Sequence, residues 1–335
     1  MPYISGRVVH DADAHIMEEP TWLGDHADPG IRERLLPRTD GLGLAPGEVD
    51  LLEHYRQRHA DPEFRARDAA EIMERKNWKA TGSFIAEDRP LALDLLGVAS
   101  QLVFNTFNNG RLVALEHGDD LDLAYGAARA HNRAMVEFCE VDDRLLPTCY
   151  VPLAEFGRSA EIAAEALAMG AAALLVPSAC PRDHSPSHVG LDPVWRQAEE
   201  AGIPIVLHVG GGGPLIDPMF FANGGPPVKD FHGGDENFRS VDYMAIPKRP
   251  MQMLATMIFD GVFERHPDLR LGVIEQGAIW LPSWMLQMES AFDAFAKHED
   301  RLRALSLRPS EYVRRQIRAT PYPTEDVGWI AEQAG

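Results

Sequence analysis

The sequence predicts an α/β fold of successive βα units, laid out as a parallel sheet or a (β/α)8 barrel. Three observations carry this. Apolar runs of strand length recur along the chain, among them 172–176 (AALLV) and 203–208 (IPIVLH). Each of these follows a helical pattern closed by glycine, Gly170 before the first and Gly202 before the second. The runs are almost free of polar residues, which suits parallel strands covered on both faces.

The first strand is placed at 7–13, a β-branched run that leads into Asp11, Asp13 and His15. Alternate side chains of a strand share a face, so these three point the same way. Residues 16–90 are too long for an ordinary connection and contain a Gly/Pro-rich patch, so they are read as an insertion over the active end. From residue 90 the rhythm is regular: helix 90–97, strand 100–104, helix 119–141, strand 145–151, helix 157–169, strand 172–176, helix 191–201 and strand 203–208. Helix 119–141 is amphipathic, with Leu121, Ala124, Ala128, Met135 and Phe138 on one stripe. Asp119, Asp120 and Asp122 suit the positive end of its dipole.

A second insertion, 209–249, is rich in glycine but has neither the Lys-Ser/Thr of a P-loop nor the spaced glycines of a dinucleotide turn. It is read as a lid or subunit contact, and its apolar run Pro218–Phe221 is the candidate homodimer surface. Helix 251–265, strand 269–274, helix 280–303, strand 316–319 and helix 324–334 bring the strand count to seven. A closed barrel needs eight. The chain is therefore read as one domain over 1–335, with an eighth strand expected beyond Gly335.

Net charge is −19, from 32 basic and 51 acidic residues, which argues against a nucleic-acid or anionic-membrane partner and leaves a small molecule. No apolar run is of bilayer-spanning length and no signal peptide is evident, so a cytoplasmic protein is expected. Cys139, Cys149 and Cys180 are spaced as neither a disulfide framework nor a thiolate metal knuckle.

Barrel chemistry sits at the C-terminal ends of strands. There the first strand offers Asp13 and His15, the fifth His208 and the sixth Glu275. Imidazole and carboxylate without thiolate suit a divalent zinc, iron or manganese ion. His10 and Asp11 are candidates for holding His15 in one tautomer. His232 in the second insertion is a further catalytic candidate, and Trp280 a candidate wall of the substrate pocket. The His266-Pro267-Asp268 segment, at the other end of its strand, is assigned to structure.

Three stretches carry a resemblance: 11–20 (DADAHIMEEP), 205–208 (IVLH), and 261–270 (GVFERHPDLR) running into 274–282 (IEQGAIWLP). They are similar to the amidohydrolase superfamily, in the branch that holds aminocarboxymuconate-semialdehyde decarboxylase and related amidohydrolase 2 proteins. The resemblance implies a (β/α)8 barrel with one or two divalent ions at the strand ends, zinc first, iron or manganese next. The family's His-x-His pair matches Asp13-Ala14-His15, and its strand-five His matches His208. Relatives that decarboxylate carry a His at the strand-six position, where this chain has Glu275. The family's last ligand, an Asp after strand eight, has no match and is expected past the Thr320-Pro321-Tyr322-Pro323 stretch, beyond residue 335.

A glutamate at strand six suits a carboxylate that takes a proton from metal-bound water or bridges two ions. The main expectation is therefore hydrolysis of an amide, ester or thioester bond. Non-oxidative decarboxylation of a small unsaturated or aromatic acid is the alternative, and a non-catalytic homologue the third reading.

Overall fold

The computed structural model describes residues 2–35, 48–75, 79–211, 215–226 and 239–335. Seven strands form among them: β1 His10–Ile16, β2 Ser100–Asn105, β3 Leu145–Tyr150, β4 Ala173–Leu175, β5 Ile205–His208, β6 Leu271–Ile274 and β7 Ile317–Ala319. The strands follow one another in chain order, pair in parallel and have helices in the connections, so the fold is α/β of the TIM-barrel type. The chain divides into two compact units. The first comprises Met1–Leu115, Asp120–Tyr150 and Ala168–Ala172; the second comprises Glu116–Asp119, Val151–Leu167 and Ala173–Gly335.

The first unit holds β1 to β3. Its core packs Ile16 and Val103 from the strands against Leu93 of helix Arg89–Leu96 and Met135, Phe138 and Cys139 of helix Leu121–Cys139. The long helix starts two residues later than its charge pattern predicts because Asp120 caps it, accepting from the Leu123 N–H at 3.1 Å. Burial pushes the Cys139 and Cys149 thiols up to about 12, so both are inert packed groups.

Strand β1 departs from its predicted position. It begins at His10, leaves Val8 76 % exposed, and runs on to Ile16, so Asp13 and His15 lie inside it. Its register against β2 shifts between Asp11 and Ala14, a bulge that re-aims side chains beside the candidate site.

His131 of the long helix is fully buried, and neither ring nitrogen has a hydrogen-bond partner among the described residues. Desolvation, with a smaller contribution from His26, lowers its pKa from 6.5 to about 3. Between these values the unfolded chain binds a proton that the folded chain refuses, so stability falls with acidification by about 1.4 kcal/mol per pH unit. The effect is absent above pH 6.5 and levels off below about 3. His131→Leu is expected to flatten that part of the profile. Urea unfolding of both proteins at pH 7 and pH 5 measures it, and equal losses on acidification would count against it.

The second unit holds β4 to β7. Two predicted helices are divided here. Residues 251–265 become Lys248–Phe259 and Val262–Arg265, broken at Gly261 with φ 75°. Residues 280–303 become Leu281–Phe295 and Asp300–Arg303. Helix Pro309–Gln316, which feeds straight into β7, is absent from the sequence reading, as is helix Asn108–Glu116 after β2. His266 is buried at the base of β6, with Nδ1 3.1 Å from Glu199 Oε2, while Glu199 Oε1 accepts the Asp268 N–H at 2.8 Å. That is the structural role assigned to this segment from sequence. No helix of the described residues is long and apolar enough to cross a membrane.

Candidate metal centre

Each unit presents one imidazole–carboxylate pair at its strand ends. In the first, β1 brings His15 Nε2 to 3.4 Å from Asp13 Oδ1. His15 Nδ1 lies 3.0 Å from the Asn105 carbonyl and 3.2 Å from Thr106 Oγ1. A carbonyl only accepts, so Nδ1 carries the proton and Nε2 is the nitrogen that faces the carboxylate.

The residues that hold this pair come from across the unit. Glu18 is fully buried, and its carboxylate accepts from the backbone N–H groups of Thr106, Phe107 and Asn108 at 2.9–3.0 Å. It thereby caps helix Asn108–Glu116 and fixes the turn on which His15 Nδ1 rests. Buried Arg89 donates to the His15 carbonyl at 2.9 Å, to the Gly82 carbonyl and to Gln101 Oε1. Burial holds its guanidinium pKa below the ordinary value. Gln101 in turn donates to Asp11 Oδ2 at 3.0 Å. Asp11 also accepts from the Asp13 N–H, and His10 bonds Ser100, so neither holds the His15 tautomer as the sequence suggested.

In the second unit His208, at the end of β5, is buried, and its Nε2 lies 3.4 Å from Glu275 Oε2. Its Nδ1 lies 2.9 Å from the Val209 carbonyl, which again places the proton on Nδ1 and turns Nε2 to the carboxylate. Both pairs thus set a nitrogen lone pair against an anionic oxygen, an arrangement that a cation between them relieves. An imidazole beside a carboxylate, with no thiolate, is the kind of donor set in each unit that fits a divalent first-row ion.

Glu275 has φ 55°, the single non-glycine residue in the left-handed region among the described residues. Such a conformation costs of order 1–3 kcal/mol and persists where neighbours impose it. Two residues on, Gly277 has φ 66°, and a Cβ there would lie 2.7 Å from Glu325 Oε1 and 2.9 Å from the Tyr322 ring. Gly277→Ala is expected to destabilise the chain by about 1–3 kcal/mol in denaturant unfolding. A loss below about 0.5 kcal/mol would show that the turn has room to move.

Trp280 is buried, donates its indole N–H to the Gly277 carbonyl at 2.8 Å, and meets Trp284 edge-on at 5.3 Å. His232 lies outside the described residues. Sequence reasoning missed Glu18, Arg89, Thr320, Tyr322 and Glu325 as supporting groups. Glu18 had a local signal in its place within the DADAHIMEEP stretch, and Thr320 and Tyr322 in the 320–323 stretch.

A family model for amidohydrolases matches residues 11–332, nearly the whole chain. The chain belongs to the amidohydrolase family. Solved structures with the same fold include an amidohydrolase from Mycobacterium avium subsp. paratuberculosis K-10, 22% identical, with a TM-score of 0.74 over 99% of this chain and 88% of that one. A 5-carboxyvanillate decarboxylase from Novosphingobium aromaticivorans, a substituted form with bound manganese, is 19% identical with a TM-score of 0.61 over 98% and 84%. A dihydroxybenzoic acid decarboxylase from Polaromonas sp. JS666, with manganese and 2-nitroresorcinol, is 14% identical with a TM-score of 0.57 over 98% and 82%. No curated protein matches the chain.

These neighbours overturn the expectation of acyl-bond hydrolysis. Several of the solved structures that share the fold are named as decarboxylases of aromatic acids.

Proposed function

We propose that this amidohydrolase is a metal-dependent, non-oxidative decarboxylase of a small aromatic carboxylic acid. The observation that carries the reading is the run of aromatic-acid decarboxylases among structures that share the fold over nearly the full chain. The strand-end donor set supports it.

Asp13, His15, His208 and Glu275 would hold the ion. Hard oxygen donors and the manganese in two of the neighbours favour manganese over the zinc expected from sequence. When bound, the ion would supply a fixed positive charge that favours the substrate carboxylate. Asp13 and His15, tied through Asn105 and Thr106 to the Glu18 turn, keep that charge in register with the ring. In the reaction the ring-to-carboxylate C–C bond breaks, its electron pair stays on the ring carbon, carbon dioxide leaves, and a proton takes its place. Glu275, at the strand-six position where decarboxylating relatives carry a His, is assigned the delivery of that proton.

The test is product analysis after reaction of hydroxylated benzoates with the manganese-loaded chain in D2O. One deuterium at the carbon that carried the carboxylate is the expected result. Recovery of unchanged acids across the panel, alongside cleavage of ester or amide substrates, would reject the assignment.

A further inference from the structure

We infer that Thr320 and Tyr322, on the segment that follows β7, are positioning residues that set the backbone of Glu275 and through it the geometry of the metal ligand. The inference rests on the reading of Glu275 as a ligand. The Glu275 N–H donates to Thr320 Oγ1 at 2.9 Å, and the Tyr322 hydroxyl donates to the Glu275 carbonyl at 2.8 Å. Both backbone polar groups of Glu275, the one left-handed non-glycine residue among the described residues, are therefore taken by side chains 45 and 47 positions away. The clamp is itself anchored. The Thr320 N–H donates to the Val273 carbonyl at 2.9 Å, which carries the β6–β7 pairing one residue further. Glu325 Oε2 accepts the Tyr322 N–H at 3.1 Å and the Ala278 N–H at 2.8 Å, so one carboxylate joins the two ends of the turn. Gly277 completes it by leaving no side chain between Glu325 and Tyr322.

A backbone held at both its donor and its acceptor fixes the φ/ψ of Glu275, and with it the direction of the Cα–Cβ bond and the rotamers from which the carboxylate reaches His208. Removing either hydroxyl frees Glu275 to relax toward ordinary dihedrals, which moves the point from which its carboxylate starts. Outer groups that orient ligands in this way are worth about 10- to 100-fold in metal affinity.

The experiment is titration of the full chain with Mn2+, with free ion counted by its paramagnetic resonance signal and folding followed by thermal denaturation. Tyr322→Phe and Thr320→Val are expected to weaken Mn2+ binding about 10- to 100-fold, and Thr320→Ser to restore it. Tyr312→Phe removes a hydroxyl that bonds Glu264 in the same unit, and is expected to change only the melting temperature. Parent-like Mn2+ affinity in both Tyr322→Phe and Thr320→Val would overturn the inference. If Glu275→Ala also bound Mn2+ like the parent, the ligand reading itself would fall; weak binding by Glu275→Ala alone would reject the clamp and leave that reading standing.

Discussion

His208→Ala is expected to leave the chain folded and without its divalent ion. His208 is buried and its ring is oriented by the Val209 carbonyl, so the substitution removes a pre-set nitrogen donor. Losing a direct ligand should cost more than the roughly 10- to 100-fold attributed to outer groups. Metal per chain by plasma mass spectrometry after gel filtration measures this, with loss in the variant expected and retention at the parent level against His208 as a ligand.

Glu275→Gln is expected to reduce kcat by about 100- to 10,000-fold, the range for removing a positioned general acid. Glutamine keeps the length of the side chain and an oxygen donor, so the loss of turnover should exceed the loss of metal. Rates taken at saturating Mn2+ isolate the proton step from ion binding. A kcat within about threefold of the parent under those conditions would move proton delivery to another group.

The candidate donors were legible in the sequence because His208 and Glu275 close apolar runs that a parallel fold must bury, while Asp13 and His15 alternate along the first strand. Asp13, His15, His208 and Glu275 stand out as polar residues where such a strand has no ordinary use for them. Their supports were not legible. Glu18 reaches Thr106 through 88 positions of chain, and Thr320 reaches Glu275 through 45, so no local period or spacing betrays them. The bulge in β1 was hidden for a related reason. It arises from how Asp11 and Ala14 pair with β2, and that partner lies about 90 residues away.

Hydrolysis was the main expectation because Glu275 stands where decarboxylating relatives carry a His, and was weighed as a base for metal-bound water or a bridge between two ions. The neighbours of the same fold, decarboxylases of aromatic acids among them, overturned it. Helix boundaries were misread where tertiary context decided them. Gly261 at φ 75° divides one predicted helix, and the cap at Asp120 shortens another.

The most direct test of the account is carbon dioxide release from 2,6-dihydroxybenzoate and 5-carboxyvanillate by the full chain, first stripped of metal and then titrated with Mn2+. Release that is absent without the ion and saturates near one equivalent per chain is the predicted result. No carbon dioxide from either acid at any Mn2+ level, with the ion shown to be bound, would contradict it.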